Sequence, residues 1–295
     1  MKLREIRIAL IAACAFTAAC LPWTVAAQGE SPMLAKPVNL GIQSGAALVI
    51  DRETGEPLYR KNADQVMPIA SITKLMTAMV ILDSGLPLLD LVAVDRKDID
   101  RLKGSHSKLP VGTELMRAEL LKLSLMASEN RAAAALARTY PGGTPAFVEA
   151  MNAKALELGM YDTRFVDATG LHPGNVANAE DLVKLVAAAH SYPLIRDYST
   201  ASSFEVESVV SRRRQLLQYV NSNRMVRSPQ WEIELSKTGY ISEAGRCLVL
   251  HVRIADKPLV IVLLDSWGRL TRIGDANRIR RWIETYLIPG GRFSS

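Results

Sequence analysis

Ser71 and Lys74 stand three residues apart in a stretch with helical apolar spacing, which puts both side chains on one face and lets an amine reach a hydroxyl. A serine alone is a poor nucleophile. A neutral lysine amine can accept its proton, provided that burial or a second cation lowers the lysine pKa, and Lys237 is the natural second cation. A place in the first helical turn adds free backbone N–H groups and the positive end of the helix dipole, both favouring negative charge at an attacked carbonyl.

Two further strings follow in order. Ser128-Glu129-Asn130 falls at a bend between helical stretches, where small polar residues are common for local reasons and Asn130 can serve as a helix cap. The chemical reading gives Ser128 a proton relay to a leaving nitrogen, and Asn130 a hydrogen bond to substrate and to Lys74. Lys237-Thr238-Gly239 lies in a strand pattern, although Lys and Gly are poor strand formers. A glycine there permits close backbone approach, so that substrate can add as a strand while Lys237 and Thr238 meet its carboxylate. S-x-x-K, S-x-N and K-T-G in this order point to an acyl-serine enzyme that attacks an amide or lactam carbonyl.

The surrounding elements must position these groups. Ala46–Ile50 and Leu58–Arg60 read as a hairpin turning at Gly55. Helices are expected from Ser71 to Asp83, Ala118 to Met126, Arg131 to Tyr140, Thr144 to Leu158 and Ala179 to Ser191. After about Ser203 the period turns to strand. Ile233–Tyr240 carries K-T-G, and Cys247–Ile254 with Leu259–Leu264 reads as a hairpin around Ala255–Pro258. In the closing helix Ile279, Trp282, Ile283, Tyr286 and Leu287 share a face opposite Arg278, Arg280 and Arg281. The expected fold is α+β: an antiparallel sheet drawing strands from both ends of the chain, flanked by helices, around a helical insertion at about residues 95–200. The site belongs where the two parts meet.

At 295 residues, 48% apolar and 22% charged, the chain is an ordinary core former. Residues 1–27 stand apart: Lys2, Arg4 and Arg7 precede the apolar run Ile8–Leu21, and Val25-Ala26-Ala27 offers a cleavage site before Gln28. This is a secretory signal, leaving residues 28–295 as one catalytic domain with no integral membrane segment. A retained anchor and lipidation at Cys14 or Cys20 are the alternatives. Once Cys14 and Cys20 leave, Cys247 has no disulfide partner, and its apolar strand marks it as inert core. The net charge of +6 includes +2 from residues 1–27 and does not suggest nucleic acid, though it suits an anionic polymer. Arg212-Arg213-Arg214 is a charge run of the kind that is usually solvated, with binding of an anionic polymer as the alternative. His106, His172, His190 and His251 lack ligand spacing and read as surface or loop residues, so no metal is expected, nor any cofactor.

With these motifs the chain resembles the low-molecular-mass penicillin-binding proteins, the serine D-alanyl-D-alanine peptidases of bacterial cell walls. It is most similar to their penicillin-binding protein 7 branch of D-alanyl-D-alanine endopeptidases. The likeness rests on Pro68–Thr77, Leu125–Ala133, Asp167-Ala168-Thr169-Gly170-Leu171, Asn221-Ser222-Asn223 and Lys237-Thr238-Gly239-Tyr240. It implies a β-lactamase/transpeptidase-like fold, an acyl-Ser71 intermediate, and an oxyanion hole from the N–H groups of Ser71 and Tyr240. It further implies peptidoglycan stem peptides as substrate, β-lactam antibiotics as covalent inhibitors and a periplasmic location. Glu129 stands where many relatives have Asp or Gly, and the extra β-domain and amphipathic anchor of wall carboxypeptidases are not expected. A carboxypeptidase, a serine β-lactamase and a catalytically silent wall-binding module remain alternatives. Against the β-lactamase, Tyr161–Asp167 offers no Glu to activate a water, although Asp167 can be nominated.

Overall fold

The computed structural model describes residues 39–210 and 213–286, which lie in one compact unit. Residues 1–27, expected to be a signal and containing Cys14 and Cys20, the expected lead-in at 28–38, Arg212 and Leu287 lie outside the described residues.

β1 (Ala46–Asp51) and β2 (Pro57–Lys61) form the expected hairpin, with Gly55 in the left-handed region at φ 77°. After the two-residue strand β3 (Met67–Pro68), a 3-10 turn at Ala70–Ile72 leads into α1 (Thr73–Asp83). The regular helix thus starts two residues later than its apolar pattern implies, and Ser71 sits in the tight turn before it. β4 (Leu91–Ala93) pairs with β5 (Glu114–Met116), followed by α2 (Arg117–Met126), α3 (Asn130–Arg138) and α4 (Gly143–Glu157). β6 (Val176–Ala177) pairs back on β3 and precedes α5 (Ala179–His190) and α6 (Pro193–Thr200). Between about residues 95 and 200 the regular elements are mostly helices, joined by these small ribbons and by longer irregular stretches at 99–113 and 158–175. A hairpin of β7 (Ser203–Val210) and β8 (Arg213–Val220) follows, then β9 (Glu232–Ile241), β10 (Gly245–Ile254), β11 (Lys257–Ser266) and α7 (Thr271–Tyr286).

The main sheet is antiparallel in the order β2-β1-β11-β10-β9. The N-terminal hairpin is thereby bonded to the last strand, Ala46 opposite Leu264. Side chains alternate between two cores. Leu48, Cys247, Val249, Val260 and Val262 face the helical part, while Val49, Leu248, Leu250, Ile261 and Leu263 face α7. Burial on both faces explains why β10 and β11 read as near-continuous apolar runs. α1 is buried from Thr73 through Ile81, which makes it the central helix of the insertion. Among the described residues no helix is long and apolar enough to cross a membrane.

Two histidines depart from the surface or loop reading. His251 is buried within β10, and His190 ends α5 with its side chain 28% exposed. Their separation in sequence hides the fact that their rings stack, 3.7 Å between centroids.

α7 docks through its apolar residues Ala276, Ile279, Trp282 and Ile283 and through one buried carboxylate. Asp275 accepts from the backbone N–H of Gln43 (3.1 Å) and Ser44 (2.7 Å), from Ser44 Oγ (2.7 Å) and from Arg278 Nη1 (2.7 Å). Removing it strands several buried donors. Asp275→Ala is expected to lower stability by about 3 kcal/mol, read from denaturant unfolding.

Candidate active site

The turn at Ala70–Ile72 is held in an uncommon backbone, with Ala70 at φ 48°. It presents Ser71 one turn from Lys74, whose Nζ lies 2.9 Å from Ser71 Oγ. Lys74 is fully buried and also donates to Asn130 Oδ1 (2.7 Å) and to the Thr169 carbonyl (2.6 Å). Burial lowers its pKa to about 8 against the opposing pull of Asp167 and Glu129. Of the two causes expected from the sequence, burial is the one that lowers the Lys74 pKa.

The Thr169 carbonyl is placed by a compact loop around Asp167. The Asp167 carboxylate accepts from the backbone N–H groups of Thr169 (2.6 Å), Gly170 (2.6 Å) and His172 (2.7 Å). Both its oxygens are engaged in holding the loop, which leaves it badly placed as a water-activating base. Buried Asn175 ties the same loop to α1 through Thr73 Oγ1 (3.0 Å), and Thr77 Oγ1 donates to the Ala168 carbonyl (2.7 Å).

Ser128 is the bend residue between α2 and α3, at φ 59°. Glu129 supplies the cap of α3 by accepting from Arg131 N–H (3.2 Å), so Asn130 is free of the capping role and its amide reaches both Lys74 and Ser105 Oγ (2.9 Å). Lys237 Nζ donates to Ser128 Oγ (2.8 Å) and to the Thr238 carbonyl (2.9 Å), while Thr238 Oγ1 donates to Ser222 Oγ (2.8 Å). Ser71, Lys74, Asn130, Ser128, Lys237 and Thr238 therefore line one continuous polar seam between the insertion and β9.

β9 is the edge of the main sheet. Its glycine permits the close backbone approach read from the sequence: a Cβ at Gly239 would lie 3.0 Å from the Ile69 carbonyl oxygen and 3.1 Å from Ser71 N, so the backbone that approaches is the turn carrying Ser71. Tyr240 follows with its side chain 55% exposed and Arg246 stacked 4.3 Å over its ring. Lys237 is buried, and burial, then repulsion from Lys74 and Arg272, pushes its pKa well below the usual lysine range. The free site thus disfavours full charge on both lysines, and a carboxylate beside Lys237 restores its proton.

Sequence motifs identified the seam but missed Ser105, Ser222 and Arg272. Ser222 carried a signal in the Asn221-Ser222-Asn223 string. Ser105 and Arg272 carried none, being ordinary polar residues far away in sequence. Arg272 Nη1 and Arg246 Nε, near this end of β9, are buried without a hydrogen-bond partner among the described residues.

Gly170 packs directly on the strained turn: at φ 80°, a Cβ there would lie 2.0 Å from the Ala70 carbonyl oxygen. Gly170→Ala is expected to cost about 2–4 kcal/mol in unfolding free energy through backbone strain and overpacking, and to displace Ser71 from Lys74. Unchanged stability in denaturant titration contradicts this packing.

Known proteins resemble this chain in sequence and in fold. Residues 32–267 match the model of peptidase family S11, D-alanyl-D-alanine carboxypeptidase. The chain is 46% identical over 264 residues to a D-alanyl-D-alanine endopeptidase of Pseudomonas aeruginosa, covering 89% of this chain and 84% of the relative. It is 47% identical over 244 residues to one of Escherichia coli, covering 83% and 78%. Among solved structures it is similar to the Streptomyces K15 DD-transpeptidase, with TM-score 0.76, 27% identity and coverage of 84% of this chain and 98% of that one. It is also similar to penicillin-binding protein D2 of Listeria monocytogenes in an ampicillin-bound form, with TM-score 0.70, 27% identity and coverage of 81% and 96%. The seam of Ser71, Lys74, Ser128, Asn130 and Lys237 thus sits in a chain that belongs to the S11 family of serine D-alanyl-D-alanine peptidases.

Proposed function

We propose that the chain is a periplasmic DD-endopeptidase that cleaves D-alanyl cross-links of peptidoglycan through an acyl-Ser71 intermediate. The observation that carries this reading is the buried, low-pKa Lys74 amine 2.9 Å from Ser71 Oγ. Neutral Lys74 takes the Ser71 proton as Oγ bonds to the D-alanyl carbonyl carbon. The N–H groups of Ser71 and Tyr240 receive the developing oxyanion. As the amide C–N bond breaks, the proton passes from Lys74 through Ser128 to the leaving nitrogen, and Asn130 holds Lys74 and substrate in line. Water then displaces Ser71 from the acyl carbon. Lys237 and Thr238 meet the carboxylate on the leaving side, with Arg272 adding positive field, while substrate pairs along the free edge of β9. β-Lactams enter as substrate mimics that acylate Ser71.

In a D-alanyl cross-link the amide nitrogen belongs to a D-centre carrying its own carboxylate, so the same anchor serves a cross-link and a terminal D-alanine. The endopeptidase names of the relatives at 46–47% identity, against carboxypeptidase names near 30%, favour the cross-link. The family model's description favours a carboxypeptidase as the second reading. Digestion of purified cross-linked dimers is expected to yield monomers by mass spectrometry. Release of D-alanine alone from pentapeptides, with dimers intact, shows the carboxypeptidase.

Acylation requires neutral Lys74, whose proton leaves as pH rises through about 8. The rate of labelling by a fluorescent penicillin should therefore climb about tenfold per pH unit below that value and level off above it. Ser71→Ala should abolish labelling while the protein stays folded. Lys74→Arg should do the same, because a guanidinium does not give up its proton near neutrality, whereas Lys237→Arg should keep part of the activity. A flat profile between pH 6 and 9, or labelling of Ser71→Ala, contradicts the assignment.

A further inference from the structure

Away from the seam, three side chains from three elements converge beside an open cavity of about 400 Å³: His190 at the end of α5, Glu234 on β9 and His251 on β10. Glu234 reaches this place because of a register fault. Along the β9–β10 ladder, Leu235 pairs with His251 and Ile233 with Val252, so Glu234 is the extra residue of a β-bulge. The bulge lets Glu234 and Leu235 lean to the same face, and a carboxylate that regular alternation would turn away meets two imidazoles instead.

Glu234 Oε2 lies 2.9 Å from His190 Nε2 and 2.9 Å from His251 Nδ1, and all three ligand atoms fall within 4.8 Å of one another. Yet His251 Nδ1, on a side chain only 6% exposed, makes no well-aligned hydrogen bond. An ion placed between the three groups would engage this nitrogen together with His190 Nε2 and Glu234 Oε2. The cavity, lined by His190 and Glu234 with Arg196, Asp197, Thr200 and Arg253, opens two of the three groups to solvent, while His251 lies behind them. Arg196 is drawn toward the His190 carbonyl (2.6 Å), and Arg253 pairs with Glu232 and with the other Glu234 oxygen (3.6 Å).

We infer that His190, Glu234 and His251 form a binding site for one divalent transition-metal ion of the zinc class, with the cavity supplying water as the remaining ligand. Two imidazoles and one carboxylate form a donor set that zinc takes readily, with a position left open. Bonds of about 2.0–2.1 Å to a tetrahedral ion put ligand atoms roughly 3.3 Å apart. Glu234 therefore steps back by a few tenths of an ångström, and the stacked rings turn to aim their lone pairs at one point. The ion staples α5 to β9 at Glu234, three residues before Lys237, so its effect is to brace the strand that closes the active seam.

The test is equilibrium dialysis of the metal-stripped protein against micromolar Zn²⁺, with bound zinc counted by atomic absorption. Wild type should retain one equivalent more than either Glu234→Gln or His190→Ala. The affinity loss should exceed the ~10–100-fold typical of losing an outer-shell partner. Glu234→Gln keeps size and shape, and His190 is partly exposed, so both variants should stay folded by far-UV circular dichroism. Zinc should also raise the melting temperature of wild type and leave the variants unmoved. Wild type that retains no zinc, or an equivalent that persists in either variant, overturns the site.

Discussion

Two lysine side chains buried within one polar seam set the terms for the rest of the structure. An ammonium taken from water into a protein interior is costly, and two facing the same cleft are worse. The fold answers with oxygen acceptors: the Thr169 carbonyl and Asn130 Oδ1 on Lys74, and Ser128 Oγ with the Thr238 carbonyl on Lys237. It also lets the protons go easily, since burial lowers both lysines below their ordinary range. What would be a defect in a purely structural core becomes a store of basicity beside Ser71.

The acceptors in turn dictate the backbone around them. Ala70 and Ser128 adopt positive φ although neither is glycine, and both adjoin or form the seam. Such conformations persist only where neighbours over-determine them. Here Gly170 and Gly239 let two other segments press on the Ala70 turn, and Asp167, Asn175 and Thr77 lock the loop that faces it. Strain, glycine and buried hydrogen bonds form one mutually dependent assembly.

Much of this was legible in the sequence because the reacting groups lie in short strings whose spacing has one physical meaning. The α1 stripe, the β1–β2 turn and the three C-terminal strands followed from periodicity and turn residues. Other features were hidden for stated reasons. α6 is only eight residues long and announced itself solely through Pro193 at its first turn. The β7–β8 hairpin leaves Val209, Leu216 and Val220 exposed, so its apolar residues do not mark a single buried face. The 3-10 turn at Ser71 shares the apolar pattern of the helix it leads into. Arg272 and the His190–Glu234–His251 cluster are juxtapositions across distant elements, and the latter depends on a one-residue bulge that periodicity does not reveal.

The bonding of β1 to β11 has a temporal consequence. The two strands flank nearly the whole described chain, so the main sheet remains open on the ribosome until the last strand has been made. Loop closure on that scale comes late and slows folding. Ser71 and Lys237 lie far apart in the chain, so the seam that holds both is complete only once β9 has been made. The local Ser71–Lys74 contact joins residues one turn apart, whereas the Lys237–Ser128 contact waits for β9, so the two halves of the seam belong to different stages of chain growth.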